Sequence, residues 1–231
     1  MKKYIILGHC NNALSMILES IQKLNNKEDE INVNIIHNEN DIYDLYYGNP
    51  YKPFKRINIK NTPADDFQPL SLMNSTILIA SMDTDKRIEI FNYFRTKYNI
   101  QHMQYNFIFH PSTIVASTAE IGHGCYFGPN VSIAPFAQIK NFTYINRNAS
   151  IGHHTVIGQF CTLNPGCNIG GNTVIGSSVT IGIGANVFDN IIIGVNTTIG
   201  AGSVVTKNIP SNCIAYGVPA KIIKNKNKNK K

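Results

Sequence analysis

His153 and His154 stand side by side within the stretch YINRNASIGHHTVIGQFCTLNPGCNIGG, Tyr144 to Gly171, and Gly171 follows His153 after eighteen residues. A neutral imidazole titrates near pH 6.5, so it can draw a proton from an attacking amine or hydroxyl. A glycine leaves its backbone N–H unobstructed, and such a donor can hold the oxyanion of a tetrahedral intermediate. A base and a bare N–H together suit acyl transfer. An exposed histidine at a turn also needs no function, so the elements that place the pair decide between the two.

Those elements are declared by an internal repeat. Stepping by six from Val115 meets Ile121, Phe127, Ile133, Ile139, Ile145, Ile151, Ile157, Leu163, Ile169, Ile175, Ile181, Val187, Ile193, Ile199 and Val205, sixteen apolar residues without a slip. Glycine often follows the apolar position, and a small residue commonly precedes it by two. Neither an amphipathic helix nor an alternating strand has a six-residue period. A short flat strand plus a corner does, with the aliphatic side chain inward. Three units close a triangular coil of eighteen residues, and coils stack over a continuous apolar column. The expected architecture is a left-handed parallel β-helix of hexapeptide repeats, about five coils long.

Spacing modulo eighteen then maps the surface. His153 stacks between Pro135 and Gly171, with Asp189 beyond, along one corner. Pro165, Ile183 and Ala201 share a second corner, and His123, Asn141 and Gln159 a third. On this map His154 points away from His153.

The chain ahead of the repeat has another grammar. KYIILG, INVNIIHN and STILIAS read as buried strands, and NNALSMILESIQKL and DKRIEIFNYFRTKY as helices. Strand–helix alternation predicts a small Rossmann-like parallel sheet with crossover helices. The stretch YGNPYKPFKRINIKNTPADDFQPL reads as loop. The expected domains are 1–106, an α/β acceptor-binding domain, 107–220, the β-helix, and 221–231, a disordered Lys/Asn tail.

Charge and cysteines bound the setting. The net charge is +7, yet the last eleven residues, KIIKNKNKNKK, hold six lysines, leaving about +1 for the other 220. No basic face for nucleic acid is implied. No run of eighteen apolar residues spans a membrane. GHCNN interrupts the apolar start too early for a signal peptide, which predicts a cytoplasmic protein. Five cysteines, none in a CxxC pair, fit free thiols in a reducing compartment.

The segment INRNASIGHHTVIGQFCTLNPGCNIGG, the small α/β domain before it and the GVPAK ending resemble the hexapeptide acyltransferases grouped as sialic acid O-acetyltransferases and nucleotide-amino-sugar N-acetyltransferases. The resemblance implies a homotrimer with acetyl-CoA in the groove between neighbouring β-helices. It places His153 on the family's catalytic base, Asn146 near the acceptor, and Gly171 on the glycine whose N–H approaches the acetyl carbonyl. Thr162, Ile183 and Ala201 fall with Gly171 on cofactor-contacting positions. Cys10, Asn11, Asn12, His37, Asn38 and Ser81 fall on acceptor-contacting positions. No metal is implied.

Two departures from the family pattern carry consequences. The residue after the base is usually Glu or Asp, and here it is His154, a modulator of the base that brings no negative charge. A partly unprotonated amine tolerates this better than a hydroxyl, which tilts the reading toward N-acetylation of a nucleotide-linked amino sugar over O-acetylation of a sialic-acid-like sugar. At the first strand–helix turn the family's Gly-rich loop is GHCNNA, keeping only Gly8, so a close phosphate approach is weakened. Two readings lie outside this chemistry. A zinc trimer of the carbonic anhydrase type would need histidines on facing corners at matched heights, which His123 and His153 do not offer. An inactive sugar-binding scaffold would fail to bind acetyl-CoA.

Overall fold

The computed structural model describes residues 2–8, 11–26, 29–37, 54, 57–68 and 74–226, with the side chains of Asn11, Asn12 and His37 outside that description. The chain divides into two units, Met1–Pro111 and Ser112–Lys231. The boundary lies beyond the expected residue 106 because the last residues of the first unit still serve it. Asn106 hydrogen-bonds Ile77 through both its backbone N–H and its side chain, and the strand Ile108–Phe109 packs against the first helix.

In the first unit, β1 (Lys2–Leu7), α1 (Asn11–Leu24), β2 (Ile31–His37), β3 (Ile57–Pro63), β4 (Ser75–Ile79) and α2 (Thr84–Tyr98) follow in order. The four strands are parallel in the order β3-β2-β1-β4. Helix α1 buries Ala13, Leu14, Ile17, Leu18 and Ile21, the stripe that a 3.6-residue pitch aligns. Helix α2 starts where the Asp83 carboxylate accepts from the Lys86 N–H at 2.8 Å, and Asn99 closes it in the left-handed region at φ 55°. The segment expected to be loop contains β3. Ile57 is buried and Ile59 half-buried on one side while Asn58 and Lys60 on the other are exposed, so the strand is apolar on one side only. Among the described residues its one partner is β2, which makes it an edge of this sheet, where polar alternation is tolerated and where it is hard to tell from loop.

In the second unit, sixteen two-residue strands run from Ile114–Val115 to Val204–Val205. They build three parallel faces of a left-handed β-helix. The first face stacks Ser132–Ile133, Ser150–Ile151, Asn168–Ile169 and Asn186–Val187. The second stacks Gln138–Ile139, Val156–Ile157, Val174–Ile175 and Ile192–Ile193. The third stacks Tyr126–Phe127, Tyr144–Ile145, Thr162–Leu163, Thr180–Ile181 and Thr198–Ile199. Each register step is eighteen residues, so the aliphatic column from Phe127 to Val205 is buried throughout.

What bends the chain at the corners is a left-handed residue three positions after each interior residue from Ile121 to Ile199. Asn130, Asn148, Asn172, Asn190 and Asn196 hold φ between 54° and 62°, and Gly124, Gly166, Gly184 and Gly202 between 65° and 69°. These residue types reach that region at least cost. The larger occupants lean on each other. Phe142 and Phe160 stack at 4.9 Å in one corner column, above the bare Cα of Gly124.

The small residue two before each aliphatic ties the coils from inside. Thr143 and Thr155 hydroxyls donate to the Gly158 and Gly170 carbonyls at 2.8 Å. Cys125 and Cys161 thiols do the same toward Lys140 and Gly176. Cys125, Cys161, Cys167 and Cys213 are buried and unbridged, and burial pushes the Cys167 thiol up to about 12. Such thiols are structural.

The tail is ordered further than expected. Ala220–Asn225 pairs antiparallel with Cys213–Gly217, which itself extends the third face beside Thr198–Ile199. Backbone pairing does not need the apolar content whose absence suggested disorder, and lysines suit an exposed edge. Residues 227–231 lie outside the described residues. Among the described residues, no helix is long and apolar enough to cross a membrane.

The corner conformation sets a measurable cost. Asn172→Gly is expected to leave unfolding free energy nearly unchanged, while Asn172→Ala lowers it by about 1 kcal/mol in denaturant titration. Equal effects of the two would mean that the Asn side chain, not the backbone, holds this corner.

Candidate active site

The eighteen-residue register brings Pro135, His153, Gly171 and Asp189 into one column at the corner between the first and second faces. His153 and His154 are both exposed. Contrary to the sequence map, His154 does not point away. Its Nδ1 lies 3.1 Å from His153 Nδ1, with the rings nearly perpendicular at 85°. His154 occupies the left-handed corner position, φ 57°, which swings its side chain back toward the preceding residue. Phe136, one coil earlier at the equivalent position, covers the His154 ring at 4.8 Å.

One proton must sit between the two Nδ1 atoms, donated by one ring and accepted by the other. If His153 donates, its Nε2 carries the free lone pair, and neutral His154 accepts in the place of a carboxylate. A proton gained at Nε2 would then strengthen the same hydrogen bond, since the donor becomes charged. If both rings were cations, two N–H groups would face each other and the contact would break.

Gly171 is glycine for a reason visible in the same column. A Cβ there would meet His153 Cε1 and Nε2 at 2.8 Å, so the imidazole lies over the bare Cα. The expected openness of its N–H is not found, however. The Gly171 N–H donates to Asp189 Oδ1 at 2.5 Å. The carboxylate reaches it because Gly170 also lacks a side chain, and a Cβ there would collide with Asp189.

The other expected positions fall elsewhere. Asn146, Ile183 and Ala201 lie at the corner between the third and first faces, across the width of the first face from His153. Asn146 is buried, and its Oδ1 accepts from the Arg147 N–H at 2.8 Å. Ile183 is 60% exposed. Beside it, Gly166, Gly184 and Gly202 leave open space where side chains would stand, so this corner presents a strip of naked backbone flanked by Pro165, Ile183 and Ala201. Glycines recurring every eighteen residues were the available signal for that strip. Thr162 belongs to no corner; it is buried on the third face between Tyr144 and Thr180.

In the first unit, Gly8 follows β1, His37 ends β2 and Ser81 follows β4, so the expected acceptor positions gather at the carboxyl edge of the sheet. Ligands of open parallel sheets bind at that edge. Gly8, at φ 82°, makes room for Ile90 of α2, where a Cβ would press on its Cδ1. Ser81 is 2% exposed; its hydroxyl donates to the Asp83 carbonyl and its own carbonyl accepts from buried Arg87 at 2.9 Å. That side chain serves the start of α2. Asn11 and Asn12 open α1, whereas Cys10 and Asn38 lie outside the described residues. Among the described residues, no three His, Cys, Asp or Glu side chains are grouped to hold a metal ion.

Gly171→Ala tests the packing of the His153 ring. The added methyl should displace the His153 ring and alter its imidazole signals in NMR. Because the ring is exposed, the thermal midpoint should change little; unchanged imidazole signals would contradict the close approach.

No family model matches the sequence, and no curated protein matches it. Solved structures do match the fold. A variant of perosamine N-acetyltransferase from Caulobacter crescentus, in complex with CoA and GDP-perosamine, is similar over 96% of this chain and 97% of its own, with TM-score 0.74 and 21% identity. The acetyltransferase domain of PglB from Neisseria gonorrhoeae is similar over 96% and 100%, with TM-score 0.76 and 20% identity. WeeI from Acinetobacter baumannii AYE is similar over 96% and 100%, with TM-score 0.70 and 20% identity.

Proposed function

We propose that this chain is an acetyl-CoA-dependent N-acetyltransferase of a nucleotide-linked amino sugar, a member of the hexapeptide sugar acetyltransferases acting in surface-glycan synthesis. The observation that carries the reading is the exposed His153 imidazole, held through Nδ1 by His154 and resting on the bare Cα of Gly171. The likeness in fold to a sugar N-acetyltransferase with CoA and GDP-perosamine bound supports it.

In this mechanism the sugar amine attacks the thioester carbonyl as His153 Nε2 removes its proton. The C–N bond forms and the C–S bond breaks. The proton held on His153 passes to the departing sulfur, which leaves as the CoA thiol. His154 steadies the imidazolium by accepting from its Nδ1–H. Lacking a carboxylate at that position, the base is suited to an amine already partly deprotonated.

The placement of the remaining residues favours a homotrimer. On one chain, His153 and Gly171 stand at one edge of the first face while Ile183 and Ala201 stand at the other. A trimer that sets one corner against the opposite corner of the next copy joins them in a single groove. There the glycine strip beside Ile183 and Ala201 gives acetyl-CoA a flat backbone floor, while Thr162, buried on the third face, is a cofactor position that the family resemblance alone supports. Cys10, Asn11, Asn12, His37, Asn38 and Ser81 are the proposed acceptor-binding positions, together with Asn146. Acetyl-CoA and a nucleotide-linked sugar as substrates support the cytoplasmic reading.

The test mixes the protein with acetyl-CoA and a panel of nucleotide-linked amino sugars and follows free thiol. Release with one sugar is expected, falling by about two to four orders of magnitude in His153→Ala, the usual scale of a lost general base. Release only with hydroxyl acceptors would convert the reading to O-acetylation, and no release with any acceptor would overturn it.

The His154 contact makes a separate prediction. His154→Ala should lower kcat by about tenfold while leaving the KM for acetyl-CoA within about twofold, because one hydrogen bond to a charged donor is lost. An unchanged kcat would remove His154 from the mechanism.

A further inference from the structure

Asp189 takes part in no element of the mechanism above, yet its carboxylate holds the Gly171 N–H, the backbone donor expected from the sequence to hold the oxyanion of acyl transfer. The Gly171 N–H points at Asp189 Oδ1 at 2.5 Å. Other corner N–H groups of the β-helix are met by neutral oxygens on neighbouring coils. Asn141 Oδ1 accepts from His123, Ser112 Oγ from Asn130, and Thr118 Oγ1 from Phe136, at 2.9 to 3.1 Å. At Gly171 the acceptor is instead a charged carboxylate, so the bond is the stronger kind. The side chain that makes it is exposed, and among the described residues no ion pair anchors Asp189 anywhere else.

Two glycines create this arrangement. Gly170 admits the carboxylate and Gly171 admits the His153 ring, so base and acid flank one peptide N–H. A backbone N–H donates along one direction. While Asp189 fills it, a thioester carbonyl cannot use it.

We propose that Asp189 is a latch on the oxyanion donor, a positioning residue whose carboxylate occupies the Gly171 N–H in the free enzyme and swings away when an acyl carbonyl arrives. The inference rests on the acetyl-transfer reading. Its consequence is selective. Displacing a carboxylate weakens the binding of ligands that carry a carbonyl at that point, and leaves CoA, which has none, unaffected. Between turnovers the latch keeps the donor satisfied, and its return competes with the acetylated product for the same N–H.

The experiment is calorimetric titration of the full-length protein with acetyl-CoA and, separately, with CoA, in the absence of any acceptor. Wild type, Asp189→Ala and Asp189→Asn are compared. Relative to CoA, acetyl-CoA should bind roughly five- to tenfold more tightly to Asp189→Ala than to wild type, the scale separating a charged from a neutral hydrogen-bond acceptor. Asp189→Asn, which keeps the shape but not the charge, should fall between. An unchanged ratio, or an equal change for both ligands as a merely structural residue would give, overturns the latch. Failure of wild type to bind either ligand overturns the acetyl-transfer reading and the latch with it, while CoA binding with an unmoved ratio overturns the latch alone.

Discussion

The constraint on which the second unit depends is the left-handed backbone at every sixth residue. An aliphatic side chain can point inward at each strand only if the chain turns through a sharp corner after it. For an L-residue that turn costs about 1–2 kcal/mol unless Asn or Gly supplies it. The asparagines and glycines at these corners therefore keep the helix wound, and the buried aliphatic column keeps it stacked. Neither suffices alone, since a two-residue strand has too few backbone hydrogen bonds to stand without the coils on either side.

That winding also explains the site. A structure that repeats every eighteen residues aligns side chains from distant segments into columns one coil apart. Chemistry can then be written by changing single corner residues without disturbing the scaffold. At the His153 corner three such changes coincide. A histidine replaces the usual Asn at the left-handed position, a glycine takes the place of a larger residue beneath His153, and a carboxylate takes the place of a neutral cap. Each is tolerated because the aliphatic column beneath is untouched. Phe136 covers His154 as Phe160 covers Phe142, so the cost of a large side chain in the left-handed region is offset by stacking in both columns.

Between the two units the logic differs. The small parallel sheet gathers its loops at one edge through topology, since every strand ends there, and a position such as Ser81 can lie at that edge while its side chain is committed to the adjoining helix. In the β-helix a position on the map is nearly a position in the site. In the sheet it is only a neighbourhood.

The sequence by itself determined the interior column from Val115 to Val205, the order of the three faces, and the stacking of His153 on Gly171 and Asp189. A strict period leaves only one register, and the columns follow by arithmetic. The first, second and fourth strands and both helices of the small domain were also legible, because their apolar residues are contiguous or share a face. Other features were decided only by the tertiary structure. His154 turns toward His153 because of its backbone conformation. Asp189 reaches the Gly171 N–H because Gly170 leaves the path open. Ile57–Pro63 and Ala220–Asn225 are strands because neighbouring backbones were there to pair with. A hydrogen bond depends on side-chain torsions and on which neighbouring space is empty, and a polar edge strand depends on the partner it finds; periodicity encodes neither.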